Sequence, residues 1–183
     1  QRVVFGSSES AYGFCWAKHP FPPHTLPVDE EHVLLPQESY GLSKQVNEQT
    51  GDMFARRTGM EVYALRFSLI LAPNEYDREF AAFGDPARHH RILWSYVDAR
   101  DAASACRLAL EAAGHGQAEA CRLNITSSDL LSDASVSELA AMYYPQVPFP
   151  GQDQDKLTAL VSNARAKSVL NWEPAHSWRN AGR

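Results

Sequence analysis

Tyr40-Gly41-Leu42-Ser43-Lys44 sets a phenol and an ammonium four residues apart. If this stretch opens a helix, both side chains leave from one face and reach the same ligand. An ammonium beside a phenol favours the phenolate. A tyrosine acts as a general acid or base near neutral pH when its pKa falls by roughly 3 units from about 10. The spacing alone is weak evidence. With 7 tyrosines, and lysines at positions 18, 44, 156 and 167, chance supplies about 0.15 such pairs, so the surrounding elements have to decide.

Upstream, Arg2-Val3-Val4-Phe5 is a short β-branched and aromatic run that ends in Gly6-Ser7-Ser8-Glu9-Ser10. It is expected to be a buried strand. Hydroxyls at the carboxyl end of a parallel strand stand where open α/β sheets place ligands, so Ser7, Ser8 and Ser10 are candidates for holding a substrate oxygen. The tyrosine helix should run from about Tyr40 to Arg57, with Leu42, Val46, Met53 and Phe54 on its packing side and Gly59 as its stop. A strand over Glu61 to Phe67 follows. Further on, Asp98 can cap a helix running to about Ala113, with Gly114-His115-Gly116 read as its stop. Ser135-Val136-Ser137-Glu138 is a capping box ahead of a helix halted by Pro145. A last helix spans roughly Asn163 to Leu170, closed by a left-handed Asn171, with Trp172 packing back on the domain.

Two segments resist regular structure. Phe14 to Gln37 carries five prolines and must be a loop, long enough to serve as a lid or substrate wall if it overhangs the site. Residues Asn74 to Arg91 are charged, aromatic and irregular. Arginines there, Arg88 and Arg91 among them, could clamp an anionic group, although a solvated surface is the commoner fate of any single arginine.

In order and approximate spacing these landmarks resemble the extended short-chain dehydrogenase/reductase family, the NAD-dependent epimerase/dehydratase group. They are Val4-Phe5-Gly6-Ser7-Ser8, Pro36 with Tyr40-Gly41-Leu42-Ser43-Lys44, Ala64-Leu65-Arg66-Phe67, Tyr96-Val97-Asp98-Ala99-Arg100-Asp101-Ala102, Leu123-Asn124-Ile125 and Ala166-Lys167-Ser168-Val169-Leu170-Asn171-Trp172-Glu173-Pro174. The resemblance implies an α/β fold: the later part of a Rossmann-type doubly wound parallel sheet, with a small mixed C-terminal substrate domain. Residues 1–72 would hold the later strands and the catalytic helix. Residues 73–183 would form the substrate-binding part, with 94–126 returning to the sheet. It further implies Ser8, Tyr40 and Lys44 as catalytic residues, NAD or NADP as cofactor held by Tyr40, Lys44 and Phe67 with Arg66 beside it, and substrate contacts from Ser7, Ser10, Arg88 and Arg91. The glycine-rich turn that holds the cofactor pyrophosphate in this family has no counterpart here, so the chain is expected to be the C-terminal portion of a longer enzyme.

Composition narrows the remaining classes. A hydrophobic share of 44% with 21% charged residues suits a globular domain with one core. No apolar run nears the roughly 18 residues that span a bilayer, so no membrane partner is expected. The net charge of −5 argues against nucleic acid, whose phosphates need lysine and arginine. Cys15, Cys106 and Cys121 are too scattered for a metal motif or a disulfide framework, so a reducing, cytoplasmic setting and no metal are expected. A homodimer is possible for such a fold.

Three readings of function stay open. One is a nucleotide-sugar epimerase or dehydratase that oxidises a sugar carbon transiently. Another is an NAD(P)-dependent dehydrogenase of a free sugar acid or polyol, like the uronate dehydrogenases. Nucleotide-sugar enzymes usually carry an asparagine where this chain has Leu69 and an aromatic-glycine pair where it has Leu71-Ala72, which moves weight to the second. Dehydration ranks low, because Ser8-Glu9-Ser10 offers one acid where dehydratases place two. The third reading is a non-catalytic module that keeps the fold.

Overall fold

In a computed structural model the chain forms a parallel α/β sheet with helices on both faces, and the structure describes residues 1–80, 85–114, 116, 118–149 and 157–180. Strands β1 (Arg2–Ser8), β2 (Glu61–Phe67) and β5 (Cys121–Ile125) pair in the order β1-β2-β5, all parallel. A second, two-stranded parallel sheet joins β3 (Leu69–Leu71) to β4 (Tyr96–Asp98). The helices are α1 (Ser39–Thr58), α2 (Tyr76–Phe80), α3 (Ala99–Glu111), α4 (Val136–Tyr143) and α5 (Ala164–Leu170). His115 of the expected helix stop, and residues 81–84 of the charged segment, lie outside the described residues.

Period-2 alternation on β2 sorts the two layers. Tyr63 and Leu65 point to a core shared with Ala102, Ala105 and Ala109 of α3 and with Ala166, Leu170 and Trp172. Val62 points the other way, to Ala55 of α1. Helix α5 therefore packs on the main sheet. Trp172 is fully buried there and donates its indole N–H to Asp101 O and Ser104 Oγ. A second, aromatic-rich core gathers around Tyr76, Trp94, Tyr96 and Trp178.

Strand β1 pairs only with β2 among the described strands, and Val3 is exposed, so it is an edge here and not the buried strand expected from its composition. The proline-rich segment is no simple lid either. Phe14, Leu26 and Val28 sit in the aromatic core, and Val28 forms a bridge with Val161 through Val28 N to Leu160 O and Ser162 N to Val28 O.

Helix α1 departs most from expectation. Leu42, Val46, Met53 and Phe54 are 39–51% exposed, while Gly41, Glu48, Gly51, Asp52 and Ala55 form the buried face. Electrostatics sets this rotation. Glu48 Oε1 and Oε2 accept from Arg66 Nε (2.9 Å) and Nη2 (2.7 Å), and both side chains are only 2% exposed. Arg122 donates to Glu48 and also pairs with Asp52. Turning the apolar stripe inward would bury two carboxylates' partners without their counter-charges, which costs several kcal/mol per ion.

Burial raises the Glu48 pKa, but the hydrogen bonds and charge of Arg66 outweigh it and hold the carboxyl below its ordinary 4.5. Its contribution to stability is therefore complete above pH 4.5 and disappears as pH falls through the lower folded-state value. Glu48→Ala, which strands Arg66, should lower unfolding free energy by about 3–5 kcal/mol at neutral pH. The gap between wild type and Glu48→Gln in urea denaturation should narrow on acidification, and a pH-independent gap would contradict the pairing.

The start of α1 is fitted to the turn after β1. A Cβ on Gly41 would stand 2.4 Å from the backbone oxygen of Ser10, which cannot swing aside. Gly41→Ala gains about 1 kcal/mol of helix propensity but overpacks this contact at a cost of about 1–3 kcal/mol. It should emerge less stable by calorimetry, whereas Gly59→Ala at the far end meets open space and strains only its left-handed backbone.

Candidate active site

The carboxyl ends of β1 and β2 and the first turns of α1 enclose a cleft of about 450 Å³. Ser8 and Ser10 lie on its floor, Tyr40 and Lys44 on one wall, and Phe67, Ser68, Leu69 and Ile70 on the other. Gly6, Ser7, Glu9, Cys15, Trp16 and Ile92 complete the lining. The tyrosine and lysine are placed by the cap of α1. Glu38 accepts from Tyr40 N and Gly41 N, fixing the first turn. One turn later Lys44 Nζ donates to Gly6 O at 3.0 Å and stands 5.2 Å from the Tyr40 ring centre. The Tyr40 ring is half exposed, and its hydroxyl has no hydrogen-bond partner among the described residues. Lys44 keeps two further N–H donors for a ligand.

Strand alternation separates the serines. Ser7 is in register with Arg66, which is in turn in register with Asn124, so its side chain points to the α1 face. There it donates to Glu48 Oε1 at 2.6 Å, and its hydroxyl is thereby committed to the buried ion pair and not to a ligand. Ser8, one residue on, points the other way. Its Oγ accepts from Ser10 N, capping the 3-10 turn Glu9–Tyr12, and its own proton remains to be donated. Ser10 is buried, with its hydroxyl against the Cys15 thiol.

Arg66 is not in the cleft, because alternation turns it toward Glu48 while Phe67 lines the wall. The guanidiniums of Arg88 and Arg91 are not in the cleft lining either. Arg88 pairs with Glu79 at 3.4 Å. Arg91 donates to Ala17 O and borders a small separate cavity with Glu9, Tyr12 and Phe14. Two consecutive left-handed residues, Leu93 (φ 54°) and Trp94 (φ 51°), reverse the chain after the 3-10 turn His90–Ile92, and Ile92 is the side chain that reaches the cleft. Among the described residues no group of histidines, cysteines and carboxylates could hold a metal ion, and no helix is long and apolar enough to cross a membrane.

Sequence reasoning weighed Glu9 only as a lone acid for dehydration and did not single out Ser68. Glu9 is 8% exposed, and burial pushes its carboxyl up to about 8, with the hydroxyls of Ser95 and Ser68 beside it. A carboxyl flanked by serines at a strand end was the available signal. Its burial depends on the distant Ile92–Ser95 turn, which no local pattern reveals.

The chain has relatives in sequence and in structure. In sequence, the chain is 41% identical over 98 residues to a protein of Methanocaldococcus jannaschii named "Putative UDP-glucose 4-epimerase", covering 53% of this chain and 27% of that protein. It is 30% identical over 116 residues to the L-arabinose 1-dehydrogenase (NAD(P)(+)) of Haloferax volcanii, covering 61% and 45%. In structure, it matches a short-chain dehydrogenase/reductase superfamily protein of Agrobacterium tumefaciens solved with bound NAD. That match has a TM-score of 0.64 and 23% identity over 99% of this chain and 64% of that one. The chain thus spans less than half the length of these two curated relatives. The sequence model of the NAD dependent epimerase/dehydratase family matches residues 1–125, the stretch that contains β1, the start of α1 and the whole cleft lining, and the chain belongs to that family.

Proposed function

We propose that this chain carries the catalytic part of an NAD(P)-dependent oxidoreductase or epimerase that acts on a hydroxyl of a sugar or nucleotide sugar. The observation that carries this reading is the convergence of Ser8, Tyr40, Lys44 and Phe67 on one cleft at the strand ends. NAD or NADP, when bound, supplies the hydride acceptor. The cleft fits the ribose and nicotinamide end of such a cofactor. Lys44 has two uncommitted donors suited to ribose hydroxyls, while Gly6 and Phe67 offer an apolar wall for a ring.

The roles of the side chains follow from position. Tyr40, whose half-exposed hydroxyl has no partner among the described residues, takes the proton from the substrate hydroxyl as its carbon is oxidised, and returns it in the reverse direction. Lys44, anchored by Gly6 O, holds its ammonium 5.2 Å from the Tyr40 ring centre, within reach of the same ligand. Ser8 donates its remaining proton to the reacting oxygen and steadies the charge that develops there. Ser10 shapes the floor. Ser7, Arg88 and Arg91 have no part in this proposal, since their polar groups are engaged elsewhere.

A specific observation favours oxidation of a free sugar or sugar acid over epimerisation of a nucleotide sugar. Leu69 and Ile70 line the cleft beyond Phe67, an apolar wall where nucleotide-sugar enzymes of the family usually place an asparagine. The Haloferax relative, named as a sugar dehydrogenase, is consistent with this preference. Nicotinamide absorbance should then change with free aldoses or sugar acids and stay flat with UDP-sugars. Net conversion of a UDP-sugar without cofactor turnover would favour the epimerase instead.

In the active enzyme, Tyr40→Phe should lower kcat by about 10²- to 10⁴-fold with an unchanged melting temperature, because one exposed oxygen is deleted. Lys44→Met should raise the cofactor KM and also lower kcat. Full activity in Tyr40→Phe would remove the proposal.

A further inference from the structure

We propose that Glu9 is a positioning residue: a carboxylic acid kept neutral, whose proton is donated to Ser95 and which thereby ties the turn carrying Ile92 to the cleft floor carrying Ser8. The case rests first on hydrogen accounting. Ser95 Oγ lies 2.5 Å from Glu9 Oε2 and 2.6 Å from Ile92 O, both hydrogen-bond distances. A hydroxyl has one proton, and Ile92 O has none to give. If Ser95 donated to a Glu9 carboxylate, its oxygen would face the Ile92 carbonyl lone pairs at contact distance. Only when Glu9 carries the proton do both short contacts become hydrogen bonds: Glu9 to Ser95, and Ser95 to Ile92.

The surroundings agree. Among the described residues no ion pair includes Glu9, and burial is the main influence on its carboxyl. Ionisable and charged groups face it from each neighbouring element. Cys15 follows from its own segment, with a thiol that burial and Glu9 push up to about 12. Tyr40 and Lys44 stand across the cleft on α1. Arg91 borders the cavity behind it together with Tyr12, and its guanidinium is turned to Ala17 O. Ser68, at the end of β2, is a second hydroxyl partner. The carboxyl thus joins three walls of the cleft.

The turn it secures needs securing. Leu93 and Trp94 are consecutive non-glycine residues in the left-handed region, a conformation that persists only where the surroundings over-determine it. Their N–H groups are held by His90 O and His89 O, and the Trp94 indole by Pro86 O. The Glu9 to Ser95 bond is the tie that connects this turn to the Ser8 side of the cleft. The positioning role rests on the cleft being the reaction site, but the acid and its tie are testable without any substrate.

The test is carbon-13 NMR on the 183-residue chain labelled at glutamate carboxyls and isoleucine methyls, titrated from pH 5 to 9, with Glu9→Gln for assignment. Glu9 should hold the shift of a neutral acid at pH 6 and titrate near pH 8, and the Ile92 methyls should move with the same midpoint. In denaturation, the folded-state value raised above 4.5 means that wild type loses stability relative to Glu9→Gln as pH rises through this window, levelling above it. An ionised Glu9 signal at pH 6, Ile92 methyls that stay still while Glu9 titrates, or parallel stability curves would each overturn the proposal. If Glu9→Gln does not fold, Ser95→Ala provides the assignment, because it displaces the signal of the carboxyl it touches. In the active enzyme the substrate KM should rise several-fold above pH 8. Neutral-acid signals with no turnover on any sugar would refute the functional reading and leave the tie standing.

Discussion

The buried pair of Arg66 and Glu48 holds together most of what surrounds the cleft. Arg66 reaches Glu48 on α1, the Tyr12 hydroxyl after β1 and the Glu30 carbonyl in the proline-rich segment. Glu48 in turn receives Ser7 of β1 and Arg122 of β5. Three strands, one helix and one long loop therefore meet at a single charge pair. A buried ion pair gains little net stability over apolar packing, but breaking it is expensive and its geometry admits one arrangement. Helix α1 cannot rotate or slide without stranding a charge, and it is this helix that presents Tyr40 and Lys44.

The same pair explains why an apolar stripe lies outside. A helix normally turns its hydrophobic residues to the core. Here small residues and carboxylates take that face because the sheet beneath offers two arginines, Arg66 and Arg122, with side chains only 2% and 24% exposed. Leu42, Val46, Met53 and Phe54 are already about half buried, so turning them inward would recover only part of the roughly 1.5–3 kcal/mol that full burial of such a side chain brings. Stranding one buried charge costs about 3–5 kcal/mol. Burying the stripe would strand more than one, and Gly41 and Gly51 could not then make their close approaches.

Period-2 alternation carries that polarity into the cleft. Ser7, Arg66 and Asn124 stand in register on the α1 face, while Ser8 and Phe67 point away from them. One residue of register thus separates a structural hydroxyl from one that can face a ligand. The opposite wall is built differently, from the strained Leu93-Trp94 turn and the apolar Leu69 and Ile70. The side that would hold the reacting atoms is rigid and charged at its back, whereas the side that would meet the rest of a substrate is apolar and made of turns.

The sequence by itself determined the local elements and the juxtaposition of Tyr40 with Lys44. Strand-ending serines, the Tyr40–Lys44 spacing, the left-handed Gly59 and Asn171 caps, the Ser135 capping box and the Asp98 cap all rest on neighbours within a few residues, where steric and hydrogen-bond rules act without tertiary help. Only the tertiary structure decided which face of α1 is buried, because the partners of Glu48 lie 18 and 74 residues away. It likewise decided that Ser7 serves the ion pair, that Arg88 and Arg91 turn from the cleft, and that Glu9 meets Ser95 across 86 residues. A charge finds its counter-charge in space and not along the chain, so no periodicity could have reported these pairings.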